Sequence, residues 1–179
     1  KLAEDAGVAG ITVHGRTREQ RYTRAADWDL IGQVAAERKV PVVGNGDILT
    51  WYEAEERLRR SGAAGVMLGR GALIKPWLFQ EIREGRELAP SAAQRVSIYR
   101  RLAVYLLEHF GEDEHGRERA LEFLAWHFSF FHRYRPLPPE IWREASLQHP
   151  LLQARMGPVT SEDPLDPVLA QPAEETHRA

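Results

Sequence analysis

The sequence predicts an α/β fold: three strand–loop–helix units of the parallel βαβ kind, followed by an all-helical region. Three observations carry this. Short apolar runs rich in β-branched residues, at 10–16, 40–47 and 65–71, alternate with helical stretches. Each run ends in a loop that mixes glycine with polar or charged residues: His14-Gly15-Arg16, Asn45-Gly46-Asp47 and Gly69-Arg70-Gly71. Beyond residue 90 only helical periodicity remains.

The opening "KLAEDAG" reads as the last turns of a helix stopped at Gly7. The first strand lies in "GITVHGR" and the second in "VPVVGNGDI". An Asn-Gly pair beside alternating apolar residues signals a β-hairpin. Here the next stretch is "LTWYEAEERLRRSG", where Thr50 and Glu53 form a capping box and Trp51, Ala54 and Leu58 recur at helical spacing. The order is therefore strand, loop, helix. The third strand, in "AGVMLGRG", resembles the first, "AGITVHGR", and Pro76 marks a helix opening in "KPWLFQEIREG".

Past the connector "EGRELAPSAAQ", Ser91 and Gln94 cap a helix that runs to about Phe110, where Gly111 stops it. A second long helix is expected over 117–134, ended by "RPLPP", with Leu121, Leu124, Phe128 and Phe131 as its buried stripe. Shorter helices are expected at 139–148 and 150–156. The Pro- and acid-containing segment 157–179 has too few large apolar residues for a core and is expected to be disordered. The domains expected are 1–88, 91–156 and this acidic tail. Three units cannot close a (β/α)8 barrel, so the reading as its last three units places the others before Lys1.

Composition sets limits on function. Of 179 residues 43% are hydrophobic and 28% charged, the balance of a water-soluble globular chain. No apolar run reaches membrane-span length and no signal-peptide pattern opens the chain, so the expected location is cytoplasmic. With no cysteine there is no disulfide, thiolate metal site or cysteine nucleophile. The net charge of −2 argues against a generally basic surface. The excess acid sits in 151–179, with two Lys+Arg against five Asp+Glu.

In a barrel, the loops after strands 7 and 8 build a phosphate site. If the second and third loops were these, Gly46, Gly69 and Gly71 would let backbone N–H groups approach an anion and Arg70 would add a charge-assisted contact. Any one such glycine is often only a turn former; the constellation of three loops is the signal. His14 alone fits a satisfied strand-end histidine, but beside Arg16 on this rim it fits a cofactor edge, a phosphate or a substrate. The loop with Arg16, Arg18, Arg21 and Arg24 around Tyr22 is either a solvated charged loop or a basic loop for an anionic macromolecule. Arg117, Arg119, His127, His132, Arg133 and Arg135 give the second long helix a similar edge, against only Glu118 and Glu122. No metal-ligand spacing and no Ser-His-Asp arrangement is present.

The run "HGRTREQRYT…ADW…NGDI…RGAL.KPWLF", followed by "FL..W..F..RY.P", resembles the carboxyl-terminal half of tRNA-dihydrouridine synthases of the eukaryotic-type synthase 3 branch, over residues 1–136. That resemblance implies an FMN-bearing (β/α)8 barrel followed by a helical domain that grips tRNA. In it FMN, reduced by NADPH, passes a hydride to the uracil ring while a cysteine acts as general acid. It places His14 and Arg16 near the flavin, Asn45, Gly46 and Asp47 in a flavin-binding loop, and Gly69 and Arg70 in the phosphate loop. It assigns no catalytic residue here, because the family's cysteine has no counterpart in a chain without cysteine, and this piece alone is expected to be inactive.

With tRNA as partner, Arg18, Arg21, Arg133 and Arg135 are the candidate RNA contacts; no metal, membrane or protein partner is expected. Two other readings stay open. One is a different FMN-dependent barrel acting on a small molecule, which would need neither the Arg-rich loop nor the helical region; the other is a non-catalytic RNA-binding module.

Overall fold

Three short strands, β1 (Ile11–His14), β2 (Val42–Asn45) and β3 (Gly65–Met67), form a parallel sheet in the order β1-β2-β3. The register pairs Ile11 with Val42 and His14 with Asn45, then Val43 with Gly65 and Asn45 with Met67. The carboxyl ends of the strands are therefore flush, and His14, Asn45 and Met67 stand side by side. The computed structural model describes residues 1–20, 24–131, 135–145, 153–154, 162–171 and 173–178.

Local sequence explains the helices between the strands. Helix α1 (Leu2–Asp5) precedes β1. Helix α2 (Trp28–Glu37) starts where the Asp27 side chain accepts from the Leu30 N–H at 2.8 Å. Helix α3 (Trp51–Ser61) has the Thr50/Glu53 capping box, and Gly62, at φ 64°, ends it in the left-handed region. The helix expected in the stretch opened by Pro76 is α5 (Leu78–Glu84), and a separate short helix, α4 (Arg70–Ile74), precedes it. Proline drives the residue before it out of the helical region, and Lys75 sits at φ −131°, ψ 85°.

The core of the sheet region is Trp28, Ile31, Ile48, Ala26 and Ala54, with Val13, Val66, Leu68 and Ile82 packed around them. The Trp28 ring lies over β2 at Gly44, where an added Cβ would come within 2.4 Å of it. Its indole N–H donates to the Gly46 carbonyl at 2.9 Å. The residue that anchors the core thus also fixes the loop that follows β2.

Two compact units emerge: Lys1–Glu87 with Pro136–Gln153, and Leu88–Arg135 with Ala154–Ala179. The second is built on α6 (Ala92–Phe110), with its Ser91/Gln94 capping box, and α7 (Glu114–Phe131). Tyr99, Leu106, Ala120 and Ala125 are buried there. Leu121, expected in the buried stripe, is 46% exposed; small residues let the helices approach closely, and Ala120, Ala125 and His127 occupy the inward face instead. The side chains of Phe128 and Phe131 lie outside the described residues.

After β4 (Arg135–Pro136) comes α8 (Pro139–Ala145), in the stretch that groups with the sheet unit although the sequence reads it with the helical region. Tyr52 donates its hydroxyl to the Leu137 carbonyl, and burial pushes the Tyr52 pKa up to about 12, so it stays a donor. Trp142 is buried, and the Arg57 guanidinium lies 5.5 Å from the Trp142 ring centre and 5.9 Å from that of Trp28. Of the span 150–156, where a helix is expected, only Gln153–Ala154 lie within the described residues, and they form β5, paired with β4. The expected disordered tail contains α9 (Leu165–Leu169) and α10 (Glu174–Arg178). There Leu169 is buried and Asp166 pairs with Arg95, so one apolar and one ionic anchor order a segment whose composition alone predicts none.

Candidate ligand site at the strand ends

The loops after β1, β2 and β3 surround a cleft of about 180 Å³. Its lining includes His14, Arg16, Asn45, Gly46, Asp47, Gly69 and Arg70, the seven residues the sequence singles out, together with Ile48, Met67, Leu68 and Gly71. All belong to the sheet unit.

Asp47 organises the floor. Its backbone is left-handed at φ 52°, a conformation that Asp tolerates better than most residues, and it directly follows Gly46 at φ 135°. That double turn brings the carboxylate inward, where Oδ2 accepts from the Ala26 N–H at 2.7 Å and from the Arg16 guanidinium. Arg70 lies 3.6 Å from Oδ1. No hydrogen bond reaches the buried Oδ1 among the described residues.

Arg16 is more deeply placed than its pattern suggests. Its side chain is 1% exposed, with Nε donating to the Arg24 carbonyl at 2.5 Å in addition to the Asp47 pair. It ties the Arg24 backbone to the β2 loop and lines the cleft.

The glycines divide by role. At Gly69 an added Cβ would meet no atom within 4 Å, so that side of the cleft is open. At Gly46 it would strike the Ala26 Cβ at 2.4 Å, and at Gly71 the Ile48 carbonyl at 2.1 Å. Gly71, expected to admit an anion, is instead required for close packing of α4 on the β2 loop.

Across the mouth, the Asn45 side chain donates to the Met67 carbonyl at 2.6 Å and meets His14 Nδ1 at 2.5 Å. Between α4 and α5, Lys75 and Glu81 form an ion pair at 2.6 Å, with the Glu81 side chain fully buried. Six residues apart across a proline, they share no helical face, so spacing does not reveal the pair. Ala26 is likewise missed, since it contributes only a backbone N–H.

Of the proposed RNA residues, only the Arg18 side chain lies within the described residues. Arg18 is exposed, in a loop where Thr17 and Gln20 exchange side-chain hydrogen bonds with each other's backbone. Arg21 and Arg133 lie outside the described residues, as does the Arg135 side chain. His127, counted with the basic edge of α7, is buried; burial pushes its pKa down to about 4, so it carries no positive charge at neutral pH. Among the described residues no group of three or more His, Asp or Glu could hold a metal ion, and no helix is long and apolar enough to cross a membrane.

The chain is 49% identical over 134 residues to a mouse protein named tRNA-dihydrouridine(47) synthase [NAD(P)(+)]-like, covering 74% of this chain and 21% of the relative. The human protein of the same name is 48% identical over 134 residues, covering 74% and 20%. A tRNA-dihydrouridine(47) synthase [NAD(P)(+)] of Eremothecium gossypii is 39% identical over 155 residues, covering 76% and 24%. The chain thus spans about a fifth of the length of the curated relatives it matches. The Dihydrouridine synthase (Dus) family model matches residues 1–149, and the chain belongs to that family.

Proposed function

We propose that this chain is part of an NADPH-dependent flavoenzyme that reduces uridine in tRNA to 5,6-dihydrouridine, and that the cleft holds FMN. The observation that carries the reading is the convergence of three strand-end loops, with all seven predicted residues, on one cleft. The donors and acceptors there fit a phosphorylated polyol. Arg70, which lies 3.6 Å from Asp47 Oδ1, offers a cation beside the open flank of Gly69, while Asn45 and His14 supply neutral hydrogen-bonding groups. When bound, FMN supplies hydride transfer to the C5–C6 bond of uracil.

Every other task falls to protein groups. Asp47 and Arg16 keep the loops in place, Arg70 takes the phosphate, and Asn45 and His14 orient the ring-facing end. The cysteine that the family resemblance implies as general acid is not among these residues, since the chain has no cysteine. In this reading the three βα units are the last three of a (β/α)8 barrel, and tRNA is gripped both by the loop with Arg18 and Arg21 and by the helical region with Arg133 and Arg135.

In the intact protein, Arg70→Ala should release flavin at concentrations where the parent retains it, and dihydrouridine in tRNA should fall in parallel. Unchanged flavin content in the variant would overturn the assignment. A salt series of tRNA affinity tests the basic residues: each lost phosphate contact should flatten the logarithmic slope by about 0.7–0.9.

A further inference from the structure

We propose that Asn45 is a positioning residue that holds His14 in its Nδ1–H tautomer, so that the cleft meets its ligand at the β1 end with a hydrogen-bond acceptor, Nε2. The proposal deepens the reading of the cleft as a flavin site and rests on it only for the identity of the ligand.

The argument begins with the register. His14, Asn45 and Met67 are consecutive partners across the ends of β1, β2 and β3, so their polar groups form one ladder. The Met67 carbonyl can only accept, and the Asn45 group 2.6 Å from it must therefore be the amide nitrogen. This fixes the direction of the Asn45 side chain and turns Oδ1 towards the imidazole. Oδ1 carries no hydrogen, so the contact of 2.5 Å to His14 Nδ1 requires the proton to be on Nδ1. In a neutral ring Nε2 then carries a lone pair. A backbone carbonyl on β3 thereby sets the hydrogen-bonding sense of a side chain on β1, two strands away.

The consequence is a polarity across the cleft. At the β3 end Arg70 presents a cation. At the β1 end His14 Nε2 presents an acceptor. A ligand matched to this pattern places its anion against Arg70 and an O–H or N–H donor against His14. Histidine here is not the phosphate ligand that its position next to arginines suggests.

Two measurements test this. The first uses the intact, flavin-free protein labelled with 15N in its histidine rings, at mildly alkaline pH, with the His14 signals identified by their loss in His14→Gln. The expected spectrum has a protonated Nδ1 and a bare Nε2, and Asn45→Ala should abolish that preference. A protonated Nε2 in the parent, or a tautomer unchanged in Asn45→Ala, would overturn the proposal. The second compares FMN retention by His14→Gln, whose amide can offer an acceptor near the Nε2 position, and His14→Lys, which can only donate. Retention should be at least about tenfold better in the glutamine variant; equal retention, or better retention by the lysine variant, would also overturn it. If the parent itself holds no flavin, the flavin reading fails, while the tautomer measurement still decides the role of Asn45.

Discussion

Replacing Glu53 by glutamine should change the pH dependence of stability in a way that can be worked out from its surroundings. Glu53 is buried, and its carboxylate accepts from the Leu49 N–H at 2.6 Å and the Thr50 N–H at 2.9 Å. Loss of solvation dominates over these bonds and over the Arg57 charge, and pushes its pKa from the ordinary 4.5 up to about 7. A folded-state pKa raised in this way gives stability that is fully present below the unfolded value and is lost as pH rises through the folded value. Each tenfold change in proton affinity between the folded and unfolded chain is worth about 1.4 kcal/mol, so the loss between pH 5 and pH 8 is roughly 2.5 kcal/mol. Glutamine keeps an acceptor for the two N–H groups and does not ionise. The stability difference between Glu53→Gln and the parent should therefore move by roughly 2.5 kcal/mol in favour of the variant over that range. Urea unfolding followed by tryptophan fluorescence, in a Trp126→Phe background for both proteins, reads this, because the other four tryptophans, Trp28, Trp51, Trp77 and Trp142, belong to the sheet unit. Parallel pH profiles for the two proteins would refute the reasoning. Glu53→Ala is the control: it leaves the two N–H groups without their acceptor and should cost roughly 2 kcal/mol or more at either pH.

Gly44→Ala should destabilise the sheet unit by about 1–3 kcal/mol, since its Cβ would press on the Trp28 ring at 2.4 Å; a urea midpoint equal to the parent's would contradict the packing. His127 should act with the opposite sign to Glu53. Its folded pKa, about 4, lies below the ordinary 6.5, so stability is lost as pH falls through that window, by roughly 2 kcal/mol after allowance for solvent screening. His127→Leu should remove that acid sensitivity from the helical signal in circular dichroism, and a variant with the parent's acid limb would dispose of the idea.

What was legible in the sequence was what lies close in the chain. Thr50 with Glu53 and Ser91 with Gln94 are three residues apart, and both capping boxes are present as read. Glycine and a polar residue at three strand ends identified the cleft, because a parallel sheet brings those ends together whatever the intervening helices contain. Contacts between distant residues were not legible. Arg16 reads as a basic residue on a rim, and only its meeting with Asp47, 31 residues later, buries it. His127 reads as part of a charged edge because helical periodicity does not say which face turns inward when small residues rather than large ones line the contact. The order in α9 depends on Arg95, far upstream, and no composition count contains that pairing.

The return of α8 to the sheet unit makes the stretch Leu88–Arg135 a closed excursion between two parts of one core. Bringing together the ends of a flexible loop of about fifty residues costs on the order of 3 kcal/mol, and Trp142 can seat beside Arg57 only once that closure is made. A helical unit that is already folded fixes the separation of its ends and removes most of that cost. Mutations that loosen α6 or α7 should therefore weaken the seating of Trp142 through chain connectivity alone. For the same reason no single cut isolates the sheet unit intact: a chain stopped at Glu87 would leave the Arg57 face uncovered.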